Sequence, residues 1–79
     1  MTPNQLKVLI VVARNTRDKG SRMGFAQLEE CLSDIKFGFL VQALEGLHRL
    51  GFIGKKKYDL RLTQRGWHLY KAIQEVWDG

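Results

Sequence analysis

The chain is predicted to be mainly α-helical with one small β-hairpin. Three observations carry that prediction. Apolar residues recur at helical spacing in four segments: 3–14, 25–32, 35–50 and 64–77. A single stretch, 58–63, alternates apolar and polar residues with period two. Capping and breaking residues (Thr2-Pro3, Ser33-Asp34 and Gly51) fall at the edges of these segments.

The first helix opens at Thr2-Pro3. Thr is a good N-cap, Pro suits the first helical position, and Gln5 completes a Thr-x-x-Gln capping box. The helix should run to about Arg14. Leu6, Leu9, Ile10 and Ala13 form one face, with Val8, Val11 and Val12 on a flanking one. A helix apolar on two faces is buried on two sides. The β-branched run from Leu6 to Ala13 also suits a buried strand, and the cap argues for helix.

Asn15 to Gly24 is polar, basic and glycine-bearing, hence a loop, with a short edge strand near Met23. Phe25 to Leu32 reads as a short helix with Phe25, Leu28 and Leu32 inward. Ser33 or Asp34 can cap the next helix, from about Ile35 to Leu50. Phe37, Leu40, Val41, Leu44 and Leu47 gather on its inner face. Gly38, Phe39, Gln42, Gly46 and Arg49 lie outward. Gly51 follows as a C-cap. Phe52 to Thr63 should form the hairpin, with a basic turn at Gly54 to Lys57 and with Tyr58, Leu60 and Leu62 on one face. The last helix, Gln64 to Trp77, carries a stripe of Gly66, Leu69, Tyr70, Ile73, Val76 and Trp77, with Trp67 at its edge.

Composition bounds the function. At 79 residues and 9.1 kDa the chain is one domain, with an expected radius of gyration of roughly 12 Å and a thin core. An apolar fraction of 44% is too high for a disordered basic tail. The longest apolar run, Val8 to Ala13, is far short of the ~20 residues of a membrane span and lacks the pattern of a secretory leader. Cys31 is the only cysteine, so no internal disulfide forms and a reducing, cytoplasmic setting is expected.

The net charge of +5 points to a polyanionic partner, and its distribution refines this. Residues 1–28 sum to +4, 29–48 to −3 and 49–79 to +4. The excess therefore sits on the first loop and on the hairpin with its flanks.

Helix, tight turn, helix and hairpin in this order make a helix-turn-helix followed by a wing. Leu44, Leu47, Leu50, Gly51, Phe52 and Ile53, then Tyr58, Leu60, Leu62, Thr63 and Gly66, carry a likeness to a known pattern. On these residues the chain resembles the winged helix-turn-helix superfamily of bacterial and archaeal regulators, such as the MarR, PadR and ArsR families. Phe52 stands where Leu is usual. The resemblance covers about residues 25–70 and implies a DNA-binding transcriptional regulator.

In such an arrangement the helix over 35–50 enters the major groove of double-stranded DNA. Lys36, Gly38, Phe39 and Gln42 are the candidate base contacts: Gln42 suits adenine, and Phe39 suits a thymine methyl or a protein surface. Phe39 in the core is the third reading. Arg49, Lys55, Lys56, Lys57, Arg61 and Arg65 are the candidate phosphate contacts. The lysine triplet also suits a solvated hairpin tip that blunts an edge strand. The alternative function is a protein-interaction module using Phe39.

Many regulators of this kind pair through terminal helices. Val8, Val11, Val12, Trp67 and Trp77 are the candidate homodimer surface here.

No catalytic constellation is present, so an enzyme is not expected. Cys31 beside Glu29 and Glu30 reads as a buried small hydrophobe and a poor nucleophile. His48 reads as a packed imidazole at the edge of the core, and His68 as solvated. Cys31, His48 and His68 lack metal-ligand spacing, and no cofactor motif appears.

Overall fold

The other three helices and the central strand pack on the first helix. The computed structural model describes residues 1–17 and 22–78, with side chains described through Val76. The middle of the expected basic loop, 18–21, and the side chain of Trp77 lie outside the described residues. The elements are α1 (Pro3–Asn15), β1 (Met23–Gly24), α2 (Phe25–Cys31), α3 (Phe37–Arg49), β2 (Ile53–Lys56), β3 (Asp59–Leu62) and α4 (Gln64–Asp78). The fold is mainly helical, with a three-stranded antiparallel sheet in the order β1-β3-β2.

The capping box of α1 forms as its residues predict. Thr2 Oγ1 accepts the Gln5 N–H at 3.1 Å, and Gln5 Oε1 accepts the Thr2 N–H at 3.0 Å. The helix, rather than a strand, is the outcome. Its C-terminus is closed by Asn15 Nδ2 donating to the Val11 carbonyl and by buried Thr16 Oγ1 donating to that of Val12.

The buried line of α1 is Val8, Leu9, Val12 and Ala13. This corrects the expected inner face and the expected dimer surface together. Val8 and Val12 are fully buried, because α1 packs against α2, α3, α4 and β3 and its valine side meets them. Leu6, Ile10 and Val11 are left half-buried.

α2 buries one line, Leu28 continued by Leu32. Seven residues make too short a helix to bury two faces, so Cys31 is exposed rather than buried. Met23 of β1 is buried opposite Leu60, so the expected edge strand is present.

α3 begins at Phe37, with Lys36 as an N-cap that makes no side-chain bond. Ser33 and Asp34 lie in the preceding turn instead of capping it; the Asp34 carboxylate meets Lys7 Nζ at 3.6 Å. Leu40, Ala43, Leu44 and Leu47 are buried. Phe37 is 61% exposed and packs edge-on against Phe25, with ring centroids 5.9 Å apart, because the first turn of α3 overhangs the core. His48 is exposed, not packed at the core edge.

The end of α3 is a Schellman turn. The Phe52 N–H donates to the Leu47 carbonyl at 3.0 Å and the Gly51 N–H to that of His48 at 3.1 Å. Gly51 sits at φ 81°, which glycine adopts without steric cost.

The hairpin turns later than its sequence suggests. Gly54, Lys55 and Lys56 pair with Arg61, Leu60 and Asp59, and the loop is Lys57-Tyr58 alone. Leu60 and Leu62 are buried with Ile53, as the alternation predicts. Tyr58 lies in the loop, outside the pleat, and is 80% exposed.

Thr63 caps α4. Its Oγ1 accepts the Gly66 N–H at 3.1 Å and donates to the Gly51 carbonyl, while its own N–H donates to the Phe52 carbonyl. Gly66 is buried, and Trp67, Leu69, Tyr70 and Ile73 are packed on the core without being sealed from solvent. Val76 leaves the stripe and is 80% exposed, beyond the reach of the core. No helix among the described residues is long and apolar enough to cross a membrane.

Candidate nucleic-acid interface

α3 turns one side to the core and leaves a continuous strip open. Gly38, Phe39, Gln42, Glu45 and Arg49 are exposed, with Lys36 at the N-terminal end. Phe39 is 55% exposed, so its expected outward phase is correct. Two shallow grooves flank its ring. One, of about 280 Å³, is lined by Thr2, Asn4, Gln5, Gln42 and Ala43. The other, of about 300 Å³, is lined by Asn4, Lys7, Asp34, Ile35 and Lys36. The α1 residues Asn4, Gln5 and Lys7 thus border the site, which no local sequence signal announces.

The hairpin is tied to this strip. Lys55 Nζ, in β2, forms a hydrogen-bonded ion pair with Glu45 Oε1, in α3. The bond from Lys55, then its charge, hold the Glu45 carboxyl below its ordinary value, with smaller help from the charges of His48 and Arg49. Lys55 was expected at a phosphate; here its ammonium faces a carboxylate.

The other basic candidates are spread around the strip. Lys56 and Lys57 are exposed at the hairpin end, with Lys57 at φ 56°. Arg61 crosses from β3 over the bare backbone of Gly54 and stays exposed. Arg49 is exposed at the last turn of α3. The Arg65 guanidinium lies 5.1 Å from the centroid of the Phe52 ring, which fixes its stem while leaving it exposed.

The structure therefore brings Lys36, Gly38, Phe39, Gln42 and Arg49 onto one helix, with Lys56 and Lys57 on the adjoining hairpin. It does not bring the dimer candidates together as a surface: Val8 and Val12 are sealed, while Val11 and Trp67 are half-buried. A different apolar surface is open instead, a cavity of about 330 Å³ lined by Leu6, Ala72, Ile73 and Val76.

Among the described residues, no group of three or more His, Cys, Asp or Glu is placed to hold a metal ion. Comparison of the chain with protein-family models, with curated proteins and with solved structures finds no match.

Proposed function

We propose that this chain is a cytoplasmic winged-helix DNA-binding protein acting as a dimeric transcriptional regulator. One observation supports the reading most. The outer strip of α3 is open to solvent, and the Glu45–Lys55 pair holds a basic-tipped hairpin beside it. The element order and the β1-β3-β2 sheet agree with a helix-turn-helix followed by a wing.

In this reading α3 lies in a major groove about 12 Å wide. Lys56 and Lys57 reach a flanking phosphate strand, with Arg49, Arg61 and Arg65 as further backbone contacts. Each phosphate met displaces counterions, which gives affinity without sequence preference. A second copy docks on the Leu6, Ala72, Ile73 and Val76 surface, so that two α3 helices address grooves about 34 Å apart.

The test is titration of labelled duplex DNA over a range of KCl concentrations. Affinity should fall linearly on a log–log plot, and a double Lys56→Ala, Lys57→Ala variant should flatten the slope by about 2 and bind all sequences more weakly. Absence of duplex binding at low salt overturns the proposal.

The exposed Phe39, with a groove on each side, favours a second reading, a protein-docking module. A Phe39→Ala variant that keeps full DNA affinity and loses a protein partner would establish it.

A further inference from the structure

We infer that the outer strip of α3 reads A·T base pairs, with Gln42 on an adenine and Phe39 on the methyl group of a neighbouring thymine. The inference rests on the duplex-binding reading above.

The ends of the strip are cationic and its middle is not. Lys36 and Arg49 lie thirteen residues apart, about 20 Å at the helical rise of about 1.5 Å per residue. That span exceeds the roughly 12 Å width of the major groove. With α3 set across the groove, the two charges fall over the phosphate walls, leaving Gly38, Phe39, Gln42 and Glu45 above the bases.

Those four residues disfavour G·C. Guanine presents two acceptors, O6 and N7, which arginine or lysine satisfies; neither type occurs between Lys36 and Arg49. Lys55 already engages one oxygen of the Glu45 carboxylate, which weakens it as an acceptor for the cytosine amine.

They suit A·T instead. The Gln42 side chain is exposed and makes no hydrogen bond among the described residues. Its amide can donate to adenine N7 and accept from N6 at once. Phe39 stands one turn away on the same side of α3, roughly 5–6 Å off at Cβ, a separation within side-chain reach of a neighbouring base pair about 3.4 Å along the duplex. Its exposed ring gains by covering a methyl group. Gly38 offers no side chain to hold the backbone off, and the space where its Cβ would lie is empty.

The experiment is selection from a random duplex pool, followed by binding of single-base variants of the recovered site. Recovered sites should share neighbouring T and A. Replacing that thymine with deoxyuridine removes one methyl group and should weaken wild-type binding about fourfold. It should leave a Phe39→Ala variant unaffected. Gln42→Ala should accept any base at the adenine position, where the wild type discriminates by about tenfold or more. Both side chains are on the surface, and circular dichroism would verify that the variants fold. Sites built on G·C at these positions, or indifference to deoxyuridine with binding intact, would overturn this inference alone. No binding to any member of the pool at low salt would overturn it together with the duplex reading.

Discussion

Gly66 shows how much one hydrogen atom can matter in a thin core. It occupies the first turn of α4, where alanine normally gains about 1 kcal/mol over glycine. A Cβ there would overlap the carbonyl oxygen of Phe52, a backbone atom already bonded to the Thr63 N–H. Gly66→Ala should therefore lower unfolding free energy by about 1–3 kcal/mol in urea denaturation. Gly46→Ala is the contrasting case. Its Cβ would meet only the far end of the Gln5 side chain, which can swing aside at the expense of the capping box. The helix gain and the capping loss are each about 1 kcal/mol, so that variant should stay close to wild type. Gly66 reads in the sequence as one member of a stripe, because the partner that constrains it lies fourteen positions away, across the hairpin. Exposed residues such as Phe37, His48, Cys31 and Val76 were illegible for a related reason. Periodicity fixes which residues share a face, but not where along a helix the core stops.

Between elements, the Glu45–Lys55 pair joins α3 to β2 at the surface. Lys55 lowers the affinity of Glu45 for a proton in the folded chain. The stabilisation from this pair is then complete well above the ordinary carboxyl value of 4.5 and is lost as pH falls below it, through the lowered native value. The melting temperature of wild type and of a Glu45→Gln variant, followed from pH 7 to pH 3, should differ at neutral pH and converge in acid. A gap that persists at pH 3 would contradict the pairing. Lys55→Ala should correspondingly reduce the salt dependence of DNA binding less than Lys56→Ala or Lys57→Ala. The helices, the hairpin and the edge strand at Met23 were all legible, because caps and alternation are local signals. The position of the turn was not. Gly54 looks like a turn residue, yet it serves in the ladder, where Arg61 packs over its bare backbone.

At the scale of the molecule, the outward side of α1 and the end of α4 leave Leu6 and Ile73 half-buried and Val76 exposed. A dimer formed there should sediment at twice 9.1 kDa at micromolar concentration. Val76→Asp should return it to the monomer and weaken binding to a two-half-site duplex. A monomeric wild type would refute that arrangement. That α1 is apolar on two sides was legible in the sequence, but which side is sealed was not: it depends on how α3 and α4 cross it. The knot at Phe52 and Thr63 has a consequence for how the chain folds. It ties the end of α3, both ends of the hairpin and the start of α4 through backbone and hydroxyl bonds between residues at most twelve apart. Closing so short a stretch costs little chain entropy, so the C-terminal half can organise as one cooperative unit, ready for α1 to be laid across it.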